Sequence, residues 1–197
     1  MTTRAYFEGT NESETIQVEG NASLNYAYGR GGDDVVSGAD NKDRLYGNEG
    51  NDLLIGRGGD DRLYGGEGND RLYGDFGNDL LEGGDGNDKL YGGYGDDELT
   101  GGAGDDILHG GDGADLFKFT MNFDRDHDTI TDFEIGTDHL YIGTGGYAAP
   151  TAYSYSQEGN DTLITYTEQG YTSKITLVGI ELTDLDIQYS TSGALYL

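Results

Sequence analysis

The stretch GGEGNDRLY at residues 65–73 is followed by GDFGNDLLE at 74–82 and GGDGNDKLY at 83–91, and this run decides the fold. Each segment has nine residues, with glycine at positions 1 and 4, aspartate at position 6 and leucine at position 8. A fixed short period is typical of proteins in which one unit stacks on the next. The sequence therefore predicts a solenoid.

The nine-residue period extends over ten consecutive units without insertion, from Gly29 to Lys118. Position 1 is glycine in all ten units, position 4 is glycine in all but one, where Asn41 stands, and position 8 is always apolar. Two degenerate units precede them, Gly20 to Tyr28 and one around Gly9 to Gln17. We interpret these earlier units as an N-terminal cap.

Each position of the unit has a physical role. Positions 7 to 9 form a minimal strand whose middle side chain points one way and whose flanking side chains point the other. The six residues before them form a tight turn in which glycines accept positive φ and let carbonyl groups converge. Asparagine tolerates the same left-handed region, so we expect Asn41 to adopt the glycine conformation. Two units then form one coil of 18 residues, and coils stack as parallel strands about 4.8 Å apart.

The charge of the chain indicates what it binds. There are 38 acidic and 11 basic residues, and the net charge is −27. Such a charge argues against nucleic acid or an anionic membrane as partner and favours bound cations. The alternative is plain solvated acidity, as in a disordered tail. The regular spacing of the aspartates favours cations.

Every unit carries an aspartate at position 6, and stacking brings these side chains into two columns, one on each side of the coil. Converging carboxylates and carbonyls are hard oxygen ligands, which suit Ca²⁺. Five loops on each side leave four gaps, so we expect about eight calcium sites, a largely disordered chain without calcium and a β-solenoid with it. The predicted ligands are Asp34, Asp43, Asp52, Asp61, Asp70, Asp79, Asp88, Asp97, Asp106 and Asp115.

The unit G-G-x-G-x-D-x-U-x resembles the nonapeptide of the RTX (repeats-in-toxin) calcium-binding family, and the resemblance covers 90 of the 197 residues. It implies an all-β, right-handed parallel β-roll. GADLFKF at 113–119 and DHDTITDF at 126–133 are similar to the segment that closes the roll in secreted members. That similarity implies a closing site formed by Asp115, Asp128 and Asp132.

The family resemblance also implies a cell location. Such proteins leave Gram-negative bacteria by type I secretion, through an uncleaved C-terminal signal, and fold on meeting external calcium. The chain agrees in showing no N-terminal signal peptide, no cysteine and no apolar run long enough to span a membrane. It departs in its last residues, GALYL, because family members often carry an acidic residue before the final apolar ones. We thus expect an extracellular protein and the type I secretion machinery as a partner.

The C-terminal residues read as strands. TAYSYS, TLITYT after the turn-like QEGND, and YTSKITLVGI are rich in β-branched and aromatic residues, whereas LTDLDIQYS and ALYL predict a short turn and a final strand. We expect a small antiparallel cap that covers the end of the roll, and no helix of ordinary length. The predicted division is residues 1–28 as N-terminal cap, 29–118 as β-roll and 119–197 as capping and secretion-signal segment.

No catalytic site is predicted. His109, His127 and His139 lie outside any H-E-x-x-H pattern, and no G-x-S-x-G occurs, so neither the zinc protease nor the lipase activity of related proteins is indicated. We interpret His127, beside the closing segment, as a surface residue. The chain is predicted to be a complete small calcium-binding protein or the C-terminal module of a larger one.

The outward-facing positions 7 and 9 allow a second interpretation. Arginine and tyrosine recur there, as if to hold an anionic polysaccharide through guanidinium–carboxylate pairs and sugar–ring contacts. The R-modules of alginate epimerases are RTX rolls of similar build that assist polysaccharide binding. The alternative is that both residue types form ladders that keep the sheet faces soluble. The residues concerned are Arg44, Tyr46, Arg62, Tyr64, Arg71 and Tyr73.

Overall fold

A computed structural model of the chain describes residues 4–18, 23–120, 126–143, 152–168, 171–181, 188–189 and 195–196. Regular structure in these residues is β throughout, with no helix, and none of them forms a membrane-spanning helix. The strands are β1 (Arg4–Glu8), β2 (Thr15–Gln17), β3 (Leu24–Gly31), β4 (Val35–Ser37), β5 (Asp43–Glu49), β6 (Leu53–Gly58), β7 (Arg62–Glu67), β8 (Arg71–Phe76), β9 (Leu80–Asp85), β10 (Lys89–Tyr94), β11 (Glu98–Ala103), β12 (Ile107–Asp112), β13 (Leu116–Thr120), β14 (His127–Ile130), β15 (His139–Gly143), β16 (Ala152–Glu158), β17 (Asp161–Glu168), β18 (Tyr171–Leu177), β19 (Gln188–Tyr189) and β20 (Leu195–Tyr196).

The strands alternate between two facing sheets. From β1 to β15 the odd-numbered strands stack in one sheet, and from β2 to β14 the even-numbered strands stack in the other. Neighbours within the repeat region are parallel and offset by 18 residues, as in the pairing of Leu45 with Leu63 and of Leu63 with Leu81. The predicted all-β parallel solenoid is confirmed.

The strands are longer than the three residues predicted. Most run for six residues, from position 7 of one unit to position 3 of the next, as β7 does. Their second halves contain the glycines, and the ladder continues just beyond them, since the Gly50 amide donates to the Glu67 carbonyl. The turn proper is therefore only positions 4 to 6.

A single file of apolar side chains fills the space between the sheets. Position 8 is fully buried in every unit, from Val36 through the leucines to Phe117. Flanking residues outside the repeats extend the file, with Ala27 before it and Ile130 and Leu140 after it. One apolar side chain for every nine residues makes a thin core, so the backbone ladders and the loops must provide much of the order.

The glycines of the unit are required for two different reasons. Glycine at position 4 has positive φ wherever it occurs, as at Gly68 with φ of 124°. A Cβ on Gly68 would also overlap the carbonyl oxygen of Gly50, because successive turns touch there. Position 2 has positive φ as well but accepts side chains, including Asp75 and Arg57. Position 1 does not have positive φ, which corrects the prediction that all turn glycines do.

The expectation for Asn41 is wrong. Neither Asn41 nor Ala39, at position 2 of the same unit, has positive φ, so this turn does not follow the backbone path of the others. Strand β4 also ends at Ser37, whereas the corresponding strands elsewhere continue through position 3. The reason is local: a Cβ at both special positions disfavours the left-handed path that glycine makes available.

The C-terminal residues form the predicted antiparallel group. Strands β16, β17 and β18 pair antiparallel, and β18 in turn lies parallel to β14, so the group continues the even-numbered sheet. The short strands β19 and β20 pair antiparallel beside β15 on the other sheet. The turn expected within LTDLD falls at 182–186, outside the described residues.

Replacing Gly68 by alanine tests the contact between turns. We expect Gly68→Ala to lower the free energy of unfolding in saturating calcium by about 3 kcal/mol or more, because it adds a backbone clash to an unfavourable φ. Gly136→Ala is the matched control: Gly136 has φ of 83° but nothing within 4 Å of its added Cβ, so it should cost about 1 kcal/mol. Equal losses in urea unfolding would contradict the close stacking.

Candidate metal centre: two columns of aspartates

The position-6 aspartates lie in two columns, as the 18-residue coil requires. All ten are buried, with exposures of 3% or less. Each column extends past the repeats at both ends through residues outside the nonapeptides. The first column is Glu14, Asp34, Asp52, Asp70, Asp88, Asp106 and Asp128, and the second is Asn25, Asp43, Asp61, Asp79, Asp97, Asp115 and Asp138.

One oxygen of each carboxylate ties two turns together. The Asp70 amide donates to Oδ1 of Asp88 at 2.7 Å, and the Asp52 amide donates to Oδ1 of Asp70 at the same distance. The pattern repeats along both columns. Each aspartate thus reaches back to the preceding turn, which fixes its side chain in the buried position.

The other carboxylate oxygen has no such partner. Oδ2 is buried and accepts no hydrogen bond in nine of the ten repeat aspartates, the exception being Asp43. An unpartnered buried carboxylate oxygen is costly, and structures retain one only where something else compensates it. These nine oxygens are the feature of the molecule that most directly points to a ligand.

The first glycine of each unit leaves space beside that oxygen. A Cβ on Gly65 would overlap Oδ2 of Asp70 and would lie 2.5 Å from the carbonyl oxygen of Gly83, one turn further on. A carboxylate oxygen and a carbonyl oxygen from adjacent turns therefore converge on one point. Carboxylate and carbonyl oxygens are the donors that calcium prefers, so the donor set fits this ion. Position 1 is glycine because a side chain would fill this cradle.

Backbone groups must provide part of the ligand set. Among the described residues, no three Asp, Glu or His side chains come together closely enough to hold a metal by themselves. Beside most of the aspartates lies instead a glycine carbonyl oxygen of the next turn, as Gly83 lies beside Asp70. Mixed carboxylate and carbonyl coordination is characteristic of calcium rather than of a transition metal.

Burial makes these carboxyl groups reluctant to ionise without a cation. Loss of hydration is the largest cause in every case, and neighbouring carboxylates of the column add to it at several positions. It raises the pKa of Asp61 to about 8, of Asp52, Asp97 and Asp106 to about 7, and of Asp70, Asp79, Asp88 and Asp115 to about 6. A bound cation would favour the ionised form of the same groups.

The two predicted ligands of the closing segment, Asp128 and Asp132, lie in different surroundings. Asp128 continues the first column: its Oδ1 accepts from the Asp106 amide at 3.1 Å, and burial raises its pKa to about 9. Asp132 lies outside the columns, where it accepts from the amides of Gly110 and Gly111 and lies 3.1 Å from Nδ1 of His109.

The second column is continued by Asp138, which the sequence interpretation missed. Its Oδ1 accepts from the Asp115 amide at 3.0 Å, and it is 5% exposed. The sequence does contain a signal: DHLY at 138–141 repeats the Asp-x-Leu-Tyr ending of the regular units without their glycines.

The proposed polysaccharide-binding residues form ladders on the outer sheet faces. Tyr28, Tyr46 and Tyr64 stack face to face with ring centroids 4.8 and 4.9 Å apart, and Arg44 and Arg62 are paired one turn apart beside them. Tyr73 and Tyr91 stack in the same way on the other sheet, next to Arg71 and Lys89. Stacking covers the ring faces between neighbours and leaves mainly the ring edges exposed.

The chain resembles known proteins in its repeats and in its fold. The family described as RTX calcium-binding nonapeptide repeat (4 copies) matches residues 17–45, 46–81 and 82–117, just over half of the chain. No curated protein sequence matches it significantly.

Solved structures that are similar to it include a lipase and an epimerase subunit. Extracellular lipase LipA from Serratia marcescens aligns at 16% identity with a TM-score of 0.44, over 87% of this chain and 41% of the lipase chain, so the chain spans about two fifths of that protein. The AlgE6R3 subunit of the mannuronan C5-epimerase from Azotobacter vinelandii aligns at 29% identity with a TM-score of 0.29, over 64% of this chain and 77% of the subunit.

The raised pKa values predict how the calcium-free chain responds to pH. An unfolded aspartate has a pKa of about 3.9, so between pH 4 and 8 the folded form holds more protons than the unfolded form. These groups should therefore stabilise the calcium-free roll most at about pH 4 and below, and their contribution should be lost progressively as pH rises from 4 to 8. In EDTA, the far-UV circular dichroism β signal should therefore increase when pH is lowered from 8 to 5. A β signal that increases with pH would contradict the buried columns.

Proposed function

Because the chain belongs to the family of RTX calcium-binding nonapeptide repeats, we propose that it is a non-catalytic module that becomes a β-roll on binding about eight calcium ions. The observation that carries this proposal is the set of nine buried carboxylate oxygens without hydrogen-bond partners. At seven of the nine, a glycine carbonyl oxygen of the next turn lies beside the same cradle. Calcium binding and folding are then one process, since the cradle requires two adjacent turns in place.

The ligands follow from the two columns. We assign the nine repeat aspartates whose Oδ2 is unpartnered, all but Asp43, as side-chain ligands, continued by Asp128 and Asp138, with carbonyl groups of the flanking glycines completing the shell. For Asp132, the family resemblance alone supports a role as ligand of the closing region. Its carboxylate already accepts hydrogen bonds from the Gly110 and Gly111 amides.

Folding on calcium also supports an extracellular role. A chain that stays unfolded at the low calcium concentration of a bacterial cytosol could pass an exporter and fold outside. We propose type I secretion as the route, with the C-terminal segment as its signal, and extracellular calcium as the trigger.

Calcium titration followed jointly by calorimetry and circular dichroism tests the proposal. At pH 7.5 we expect little β signal in EDTA and a cooperative increase with a midpoint of roughly 10⁻⁴–10⁻³ M calcium, as for extracellular modules. Asp88→Asn should shift the midpoint to higher calcium. Asp85→Asn is the control, because it removes an exposed carboxylate of the same loop and should leave the midpoint unchanged. A full β signal in EDTA at this pH would refute calcium-dependent folding.

A second candidate function is to hold an anionic polysaccharide as an accessory module. The observation in its favour is the in-register pairing of Arg44 with Arg62 beside the Tyr46 and Tyr64 ladder. Two observations oppose it. The cleft lined by Arg44 and Arg62 is also lined by the acidic Asp60, and the Arg44 guanidinium already lies over the Tyr26 ring.

Binding of alginate oligomers tests the second function. If the surface holds the polymer, changing Arg44 and Arg62 to glutamine and Tyr64 to alanine together should weaken calorimetric binding at least tenfold in saturating calcium. A control variant with Arg57→Gln and Lys174→Gln removes the same charge from exposed positions of the even-numbered sheet, outside the proposed binding residues. Binding that is unchanged in the triple variant, or lost equally in the control, would exclude this surface as the site.

A further inference from the structure

We infer that the loop at residues 38–43 closes without calcium and that the gap between it and the loop at 56–61 takes no ion. The inference rests on the proposed calcium function of the other loops and concerns how the ions are distributed. It makes the two columns unequal, although the aspartate spacing is identical in both.

The first observation is that Asp43 has both carboxylate oxygens occupied by protein groups. Its Oδ1 accepts from the Asn25 side-chain amide, and its Oδ2 accepts from the Ala39 amide at 2.6 Å. In the other nine repeat aspartates Oδ2 is buried without a hydrogen-bond partner. The oxygen that elsewhere needs a cation is therefore already satisfied here.

The second observation is the altered backbone that delivers the Ala39 amide. In the regular loops the residues at positions 2 and 4 both have positive φ, and the residue at position 4 is always glycine. Ala39 and Asn41 occupy these positions and neither has positive φ. The turn is consequently bent so that its own N–H, rather than an external ion, faces the carboxylate.

The third observation is a cation supplied by the chain itself. Position 5 is Asp, Asn or Ala in every other unit but Lys42 in this one, and the Lys42 ammonium pairs with Asp60 of the next loop. The Lys42 side chain thus bridges the gap between the loops at 38–43 and 56–61. A second positive charge in the same gap would be repelled by it.

The neighbouring turn agrees with this assignment. The residue that precedes Asp43 in its column is Asn25, which is uncharged and buried. The Asn25 and Asp43 levels of the second column therefore carry one formal negative charge between them, whereas two regular levels carry two. The N-terminal end of this column is neutralised by an amide side chain, a backbone N–H and a lysine.

Matched variants in one column test the inference. We expect Asp43→Asn to leave the number of calcium ions bound per folded chain unchanged, whereas Asp61→Asn, one turn further on, should reduce it by at least one. The number is measured by equilibrium dialysis at saturating calcium, with circular dichroism to confirm folding. Equal losses in both variants would overturn the inference and leave the calcium function standing. No loss in either would refute the aspartates as ligands, and with them the proposed function.

A variant designed to create the missing site tests the inference without substituting Asp43. The double change Ala39→Gly with Asn41→Gly restores glycine at positions 2 and 4, and Lys42→Asn restores the usual position 5. The triple variant should bind one calcium ion more than the natural chain, with a folding midpoint at lower calcium. An unchanged number of ions in a folded triple variant would overturn the inference.

Discussion

Burial of a carboxylate at every ninth residue is the constraint on which the structure depends. A strand stack spaces successive turns closely, so each aspartate lies beside another of the same charge. One oxygen is used to bond the preceding turn, and the other is left facing a carbonyl group. Burial raises the pKa of these groups toward neutrality, so either protonation or a bound cation relieves the cost of burying their charge.

The thin core follows from the same constraint. A single file of leucines defines the register of two long sheets only weakly, because each unit contributes one large apolar side chain to the core. The register is set instead by side-chain contacts between turns at positions 5 and 6. Exposed side chains such as Asn51 and Asn69 form a second ladder, in which each accepts from the amide one turn ahead. The aspartates reach backward and these residues reach forward, so each turn is held from both sides.

The sequence predicted the solenoid, the parallel stacking, the buried position 8 and the antiparallel C-terminal group, because each rests on a strict period or on strand composition. It did not predict six-residue strands, since glycine has no strand preference and only the ladder reveals it. The prediction for Asn41 was wrong, because asparagine tolerates a left-handed backbone but does not adopt one in this turn. It missed Asp138 because the glycines that mark the other loops are absent there.

The pairing offset of 18 residues, twice the repeat length, also restricts how the molecule can change in length. Adding or deleting one nonapeptide would preserve the nine-residue rhythm of aspartate and leucine, yet it would transfer every later strand to the opposite sheet. Stacks such as Tyr28, Tyr46 and Tyr64 would then be cut, and basic residues now on one face would be exchanged with those on the other. The nine-residue pattern of aspartates is insensitive to such a slip, whereas the outer surface is not. Only insertions of whole coils keep both.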